Sequence, residues 1–263
     1  MTRFDGQVVV VTGGGRGIGA AYAGMFSDLG AKVVVNDLDA EAAHEVARAV
    51  GGVAVPGDAS TASGVETLVG TARSLAGPIE VFCANAGVAR GGLEDVGELA
   101  WETSWQVNVM AHVRAARALV PGWVAQGRGT FVSTVSAAGL LSIPGAAPYA
   151  VTKHAAYAFA EWLSMTYGDK GVRVHAVCPQ GVRTQMLEDS GDAGKALMGA
   201  SAIDPDEVAV ALRGAMEEGR FLVLPHPEVG PMYAGRAADP DRWLEGMRRV
   251  SASLPSSMMG ERS

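Results

Sequence analysis

Short runs of β-branched residues alternate with helical patterns through most of the chain. The first run, Val8 to Val11, is continuous, which is typical of a strand buried on both faces of a parallel sheet. Such runs predict seven strands, at residues 7–11, 32–37, 53–56, 79–84, 130–135, 172–178 and 221–224. Because strand–helix alternation builds right-handed βαβ units, we expect an α/β fold with a doubly wound, mostly parallel sheet and helices on both faces. One domain over residues 1–263 accommodates the whole pattern.

Helical patterns fill the intervals between the strands. The first helical pattern follows the first strand and ends at residue 29. The others cover residues 40–50, 61–76, 101–126, 146–167 and 208–217. Asp204, Pro205 and Glu207 provide a helix cap, a proline at the first helical position and a capping-box glutamate.

Two segments lack a clear hydrophobic period. Residues 186–200 predict a mobile loop, and residues 226–263 an atypical tail with one short helix at 242–250 and disorder from 251 onward.

Composition and charge exclude several classes of protein. The chain has 263 residues, 48% of them hydrophobic and 19% charged, with a formal net charge of −7. An acidic balance disfavours nucleic-acid binding. Cys83 and Cys178 are far apart in apolar stretches, and the five histidines show no ligand spacing, so neither a disulfide framework nor a metal site is expected. The sequence has no secretory leader and no run of 18 apolar residues, which predicts a cytoplasmic protein without a membrane segment.

A glycine-rich turn joins the first strand to the first helix. Glycines from Gly13 to Gly19 allow a tight turn and let a pyrophosphate approach the positive helix N-terminus. Asp37 ends the second strand, where a carboxylate can bind ribose hydroxyls and repel a 2′-phosphate, which favours NAD over NADP. A solvated loop aspartate is the alternative. Arg16 argues for NADP instead, since a basic side chain in this turn can bind a 2′-phosphate. No basic residue follows Asp37, however, and we give Asp37 more weight.

Tyr149 and Lys153 are four residues apart on a predicted helix and therefore share a face. An ammonium group beside a phenol stabilises the phenolate, so we expect a lowered pKa for Tyr149. A tyrosine of this kind can serve as an acid or a base near neutral pH.

Together these features resemble the short-chain dehydrogenase/reductase family, in its compact single-domain branch with a Rossmann fold. The matching residues are TGGGRGIG at 12–19, Asp37, Asp58, Asn85-Ala86-Gly87, Asn108, Ser136, Tyr149-Ala150-Val151-Thr152-Lys153, Pro179 and Thr184. The match spans residues 7 to 184 in order and fades beyond Pro225.

The resemblance implies a role for each matching residue. Tyr149 is implied as general acid or base, Ser136 as the donor to the substrate oxygen, Lys153 as the ligand of the nicotinamide ribose, and Asn108 as part of a water-mediated proton relay. Ser133 is the alternative serine. The residues implied to bind the dinucleotide are Gly13, Arg16, Gly17, Ile18, Gly19, Asp37, Asp58, Ala59, Asn85, Ala86, Gly87, Tyr149, Lys153, Pro179, Val182 and Thr184.

The chain departs from the family pattern in three places. The turn after the fourth strand reads Cys83-Ala84-Asn85, where the family often has a second asparagine. Gln180 stands where the family usually has glycine after proline, and Leu224-Pro225-His226-Pro227 replaces a common Asp-Gly-Gly. Family members often form tetramers through that end, so a homo-oligomer, either a tetramer or a dimer, is expected.

The substrate pocket is expected at the carboxyl ends of the strands and is mostly apolar, which suggests an alicyclic, aromatic or fatty substrate. Its candidate residues are Val88, Arg90, Ser136, Leu140, Leu141, Ile143, Gln180, Met186, Leu187 and Met198. Residues 186–200 are expected to close over it, with Met232, Tyr233 and Trp243 of the tail beside them.

These features lead to the hypothesis of an NAD(H)-dependent oxidoreductase that interconverts a secondary alcohol and a ketone. One alternative is an NADPH-dependent 3-oxoacyl thioester reductase, against which Asp37 argues. The other is a dinucleotide-binding regulator without turnover, a class that tends to lose the tyrosine or lysine that this chain retains.

Overall fold

The computed structural model describes residues 4–190, 195 and 198–254. Seven parallel strands form one sheet in the order β3-β2-β1-β4-β5-β6-β7. The strands are β1 Val8–Thr12, β2 Lys32–Asn36, β3 Val53–Ala54, β4 Ile79–Ala84, β5 Gly129–Thr134, β6 Val172–Val177 and β7 Leu222–Val223. The strand order reverses between β1 and β4, and open α/β sheets bind ligands beyond the carboxyl ends of the strands at such a point. The predicted fold class is confirmed.

Helices cover both faces of the sheet. The described helices are α1 Gly17–Asp28, α2 Ala40–Ala49, α3 Ala62–Ala76, α4 Glu98–Trp105, α5 Ala111–Gln126, α6 Ala138–Leu141, α7 Ala147–Tyr167, α8 Gln185–Glu188, α9 Pro205–Glu218, α10 Val229–Ala238 and α11 Pro240–Ala252. None of the helices in the described part of the chain is long and apolar enough to cross a membrane.

Two hydrophobic clusters, one on each face of the sheet, explain the uninterrupted valine run of β1. Val8 and Val10 pack in the cluster formed with α3, α5 and α7. Val9 and Val11 pack in the other cluster, with α1, α2 and α9. Because successive side chains of a strand point to opposite faces, a strand covered on both sides needs an apolar residue at every position.

The helix predicted at 101–126 is interrupted. It begins earlier, at Glu98, and contains a π-helical turn at Gln106–Met110 between α4 and α5. A π turn inserts an extra residue into the helix and often occurs at functional sites. Asn108 lies inside this turn.

The prediction of a mostly irregular tail is wrong. Two helices, α10 and α11, occupy residues 229–252, and residues 251 and 252 belong to α11. The carboxylate of Asp239 accepts a hydrogen bond of 3.0 Å from the backbone N–H of Arg242 and so caps α11, with Pro240 at its first position.

The loop predicted at 186–200 starts inside α8 and ends in a 3₁₀ turn, Gly199–Ser201. Residues 191–194 and 196–197 of that loop lie outside the described residues, as do residues 255–263 of the tail.

Candidate active site

The glycine turn brings three loops within contact distance of one another. Gly13 has a φ of +59°, and a Cβ there would stand 2.9 Å from the Cα of Ala86. Gly17 has a φ of +52°, and a Cβ there would stand 2.9 Å from Cγ2 of Thr184. A side chain is therefore excluded at both positions by backbone conformation and by space. The free backbone N–H groups of the first turn of α1 follow directly, which makes this turn a cradle for an anion.

Asn85 connects the end of β4 to this turn. Its Nδ2 donates hydrogen bonds of 3.1 Å to the carbonyl oxygens of both Thr12 and Gly13. The hydroxyl of Thr12 accepts in return from the backbone N–H groups of Asn85 and Ala86, at 3.0 and 3.1 Å. The two loops are thus held together at the switch point of the sheet.

Asp37 lies directly beside the glycine turn. One carboxylate oxygen accepts from the N–H of Gly15 at 2.9 Å, and the other from the N–H of Asp39 at 3.0 Å. The guanidinium of Arg16, the residue that argues for NADP in the sequence, forms a 2.6 Å ion pair with Asp39. The base in the turn therefore already has a carboxylate partner, and the next residue, Leu38, is exposed to solvent.

Asn108 is fully buried within the π turn and fastens the loop after β4 to the helix. Its Oδ1 accepts from the N–H of Val88, and its Nδ2 donates to the carbonyl of Val88, both at 2.9 Å. Nδ2 also contacts the hydroxyl of Thr152 on α7 at 3.0 Å. Asn108 does not line the cavity itself but lies directly behind it. A Cβ on Gly87 would stand 3.3 Å from its Oδ1 and 3.4 Å from Nζ of Lys153.

Ser136, Tyr149 and Lys153 come together at the carboxyl end of β5. Nζ of Lys153 donates a 3.0 Å hydrogen bond to the carbonyl of Thr134 and lies 5.7 Å from the centre of the Tyr149 ring. The side chains of Tyr149 and Ser136 are close enough to interact, and both residues line the same cavity. Ser133, the alternative serine, is buried and pairs instead with His112 at 3.0 Å. Ser136 is therefore the serine that faces the tyrosine.

The expected lowering of the Tyr149 pKa is wrong for the protein without its dinucleotide. Burial raises the pKa of this phenol, and the interaction with Ser136 only opposes that rise. Burial also lowers the pKa of Lys153 to about 8. The cause is the same for both groups. A poorly solvated site disfavours the charged form of each, which is the phenolate of Tyr149 and the ammonium of Lys153.

A cavity of about 1830 Å³ runs along these groups. Of the residues that the resemblance implied for the dinucleotide, all but Gly19 line it. Gly19 instead makes room for the turn, since a Cβ there would collide with the carbonyl of Gly13. Of the predicted pocket residues, Leu140 is the exception. It is buried in the core, and its neighbour Leu141 lines the cavity in its place.

The C-terminal helix pair, α10 and α11, borders the same cavity. Of the predicted tail residues, Met232 and Trp243 line it, whereas Tyr233 packs against Tyr157 with ring centres 6.4 Å apart. The other residues of these helices that line it were not predicted: Gly235, Ala238, Asp239, Arg242, Gly246, Met247, Arg249 and Val250. The Asp-Pro-Asp at 239–241 repeats the motif at 204–206 that starts α9, and could have located α11.

Comparison with known proteins decides the family. A family model described as short chain dehydrogenase matches residues 7–194. The chain belongs to the short-chain dehydrogenase family. Such proteins are oxidoreductases, so this short-chain dehydrogenase uses a nicotinamide dinucleotide and acts on a small molecule. Among the described residues, no group of three or more metal-ligating side chains is present.

Similar proteins match between 71% and 95% of this short-chain dehydrogenase. The 1-deoxy-11-beta-hydroxypentalenate dehydrogenase of Streptomyces exfoliatus is 33% identical, over 95% of this chain and 92% of its own. The cyclohexanol dehydrogenase of Acinetobacter sp. (strain SE19) is 32% identical, over 71% of this chain and 77% of its own. A short chain dehydrogenase/reductase from Burkholderia phymatum, solved in complex with NAD, is 29% identical with a TM-score of 0.82, covering 92% and 96%.

Proposed function

We propose that the protein is an NAD(H)-dependent oxidoreductase that interconverts a secondary alcohol and a ketone. The observation that carries the proposal is the placement of Ser136, Tyr149 and Lys153 along one cavity with the glycine turn. The turn lies beyond the carboxyl end of β1, and the polar trio lies beyond that of β5, with β4 between them. A dinucleotide bound at the turn reaches the trio across the end of β4. We take residues 1–263 as one dinucleotide-binding domain.

The residues present fit a nicotinamide dinucleotide. The turn at Gly13 and Gly17 leaves backbone uncovered for a pyrophosphate. Asp58 and Ala59 border the cavity near Asp37, on the side proposed for the adenosine. Ile18, Ala86, Pro179, Val182 and Thr184 add the remaining lining. When bound, the nicotinamide ring supplies or accepts the hydride.

Tyr149 supplies the proton. In ketone reduction its hydroxyl gives a proton to the substrate oxygen, and in alcohol oxidation the same oxygen receives one. Ser136, whose side chain interacts with that of Tyr149, holds the substrate oxygen beside it. Lys153 has three N–H donors and uses one on the Thr134 carbonyl, which leaves donors for the ribose. Asn108 holds the loop at Val88, so we assign it a positioning role behind the reacting groups.

The choice of NAD rests on the charges at Asp37. A 2′-phosphate there would meet this carboxylate, and Arg16, the nearby cation, is already paired with Asp39 at 2.6 Å. The pairing leaves no free guanidinium in the turn to compensate the phosphate.

The substrate is an alcohol or ketone with an apolar body. Leu141, Ile143, Met186, Leu187 and Met198 line the cavity on one side of the reacting groups, and Met232, Trp243 and Met247 line it from the C-terminal helix pair. The similarity to a cyclohexanol dehydrogenase supports an alicyclic body. Arg90 and Gln180 are two of the polar residues that line the same cavity.

The outer faces of α4 and α7 support a homo-oligomer. Trp105, Val151, Trp162 and Met165 are all large and at least 43% exposed. An apolar surface of this kind marks an interaction site. Light scattering is expected to give the mass of a dimer or a tetramer, and a monomer at micromolar concentration contradicts the assignment.

An initial-rate screen tests the function. Propan-2-ol, octan-2-ol and cyclohexanol are oxidised with NAD and NADP in parallel, and the matching ketones and a 3-oxoacyl thioester are reduced with NADH and NADPH. The proposal predicts turnover of the cyclic or longer alcohol with a higher kcat/KM for NAD. Preference for the thioester with NADPH identifies a reductase of that class instead. Dinucleotide binding with no turnover of any compound identifies a regulator.

A further inference from the structure

Two of the departures from the family pattern, at Gln180 and at His226, contact each other in the fold. The imidazole of His226, between β7 and α10, accepts a hydrogen bond on Nδ1 from the backbone N–H of Gln180 at 3.1 Å. Gln180 follows β6 where the family usually has glycine, and His226 lies where it usually has Asp-Gly-Gly. The donor is the backbone N–H of residue 180, which any residue except proline would offer, so the contact beside the active site depends on the side chain of His226.

His226 is held rigidly and both of its ring nitrogens are used. The side chain is 2% exposed, and prolines at 225 and 227 restrict the backbone on either side. Nδ1 accepts from Gln180, so Nε2 carries the proton and donates to the carbonyl of Ser201 at 3.1 Å. The geometry therefore selects one neutral tautomer.

On one side, His226 supports the loop that contacts the serine of the active site. Pro179 precedes Gln180, and its carbonyl accepts from the N–H of Ala137 at 2.8 Å and faces the hydroxyl of Ser136 at 3.5 Å. Pro179 and Gln180 both line the cavity, whereas His226 does not. His226 therefore acts on this loop from behind, without reach to a substrate.

On the other side, His226 supports segments that border the substrate. Ser201 lines the cavity, and its carbonyl is the second partner of the imidazole. The carbonyl of His226 accepts from the N–H of Val229 at 3.2 Å, at the start of α10. Nε2 of Gln180 reaches Sδ of Met232 on α10 at 4.0 Å. His226 thus joins three segments: its ring binds the loop after β6 and the turn at 199–201, and its backbone carbonyl binds the start of α10.

We propose that His226 is a positioning residue for the proposed oxidoreductase reaction, which holds the Pro179–Gln180 loop and the C-terminal helix pair in one arrangement around the substrate. The inference rests on the proposed function for its kinetic consequence. Its structural consequence is independent of the reaction: the imidazole fixes the segment that leads directly into α10.

Two variants separate hydrogen bonding from packing. His226→Asn keeps an acceptor near the place of Nδ1 and loses volume, whereas His226→Leu keeps much of the volume and loses every hydrogen bond. His44→Leu is the matched control, because His44 is exposed on α2 and does not line the cavity.

With cyclohexanol and NAD, the Leu variant is expected to lose about 10- to 100-fold in kcat/KM, the usual effect of removing an orienting hydrogen bond, and most of the loss is expected in kcat. Its Kd for NADH is expected to change less than about threefold, and the Asn variant to recover most of the loss. A Leu variant as active as wild type, or more active than the Asn variant, overturns the proposal. If the Leu variant does not fold, His226→Gln, which loses the Nδ1 acceptor, replaces it with the same expectations.

Hydrogen exchange keeps the test independent of the reaction. The amides of residue 180 and of residues 229–238 are expected to exchange at least tenfold faster in the Leu variant than in wild type, and those of α2 at the same rate. Unchanged exchange at both places overturns the positioning role. A wild-type enzyme that turns over no alcohol or ketone overturns the proposed function instead, and the exchange result still decides the role of His226.

Discussion

Lys153 should make the free protein less stable than a neutral residue in its place. Burial lowers the pKa of its ammonium from the ordinary 10.5 to about 8. At pH 7 the group is protonated in both the folded and the unfolded protein, so the folded state bears the full cost of the buried charge. A pKa difference of this size corresponds to about 3 kcal/mol.

The substitution Lys153→Met removes that cost and the hydrogen bond to the Thr134 carbonyl, a loss of about 1 kcal/mol. We therefore expect the Met variant to be more stable than wild type by about 2 kcal/mol at pH 7, with a Tm higher by about 4–8 °C. It should also have no measurable turnover.

The pH dependence has a definite sign. Between pH 8 and 10.5 the folded protein releases this proton while the unfolded chain keeps it, so the contribution of Lys153 to wild-type stability rises with pH. The advantage of the Met variant should therefore shrink to near zero at pH 9.5.

Urea unfolding at pH 7 and pH 9.5, at one protein concentration, measures both effects. Lys32→Met is the control, since Lys32 is exposed at the start of β2 and should change stability by less than about 0.5 kcal/mol. A Met variant at 153 that is no more stable than wild type at pH 7, or whose advantage persists at pH 9.5, refutes the reasoning.

Three further substitutions test the cofactor and substrate ends of the cavity. Asp37→Ala should lower the ratio of kcat/KM for NAD over NADP by about 10-fold or more, because it removes a repulsive charge; an unchanged ratio in initial-rate assays contradicts this. Gly87→Ala places a methyl group 3.4 Å from Nζ of Lys153 and should lower kcat at least about tenfold; retained kcat contradicts the tight fit. Trp243→Ala should lower the kcat/KM ratio of octan-2-ol over propan-2-ol about tenfold or more, while Leu244→Ala, on the exposed face of α11, should not; equal effects of the two remove α11 from the substrate site.

The sheet was predictable because burial on both faces leaves a strong signal. The continuous valines of β1 distinguish a central parallel strand from a half-exposed one, and the ends of β1, β2, β4, β5 and β6 agree with prediction to within one residue. The two edge strands are shorter than predicted. Pro56 and Pro225 have no N–H to donate to a neighbouring strand, and each comes two residues after the end of its strand, β3 or β7.

The C-terminal helix pair was missed because its sequence does not show the pattern of a core helix. Gly230, Pro231 and Gly235 weaken the helical signal of α10, although proline is tolerated in a first turn. No residue of α11 is buried, because its apolar face lies along the cavity rather than on the core. The Asp-Pro-Asp motif could have predicted where α11 begins. Its place beside the active site could not be predicted from the sequence.

At the candidate site, spacing predicted neighbours but not environments. A separation of four residues places Tyr149 and Lys153 on one face of α7, as the structure has them. The same spacing says nothing about the depth of the site, so the effect of burial on both pKa values could not be predicted. The orientation of α6, which turns Leu140 into the core and Leu141 toward the cavity, depends on packing between distant segments.

The proton transfer assigned to Tyr149 is the central claim, and Tyr149→Phe tests it most directly. The measurement pairs steady-state oxidation of cyclohexanol with the Kd for NADH, for wild type and variant. Since the change removes one hydroxyl and keeps the ring, kcat should fall by at least about 10³-fold while the Kd for NADH changes less than about threefold. A Phe variant that keeps kcat within tenfold of wild type contradicts the account.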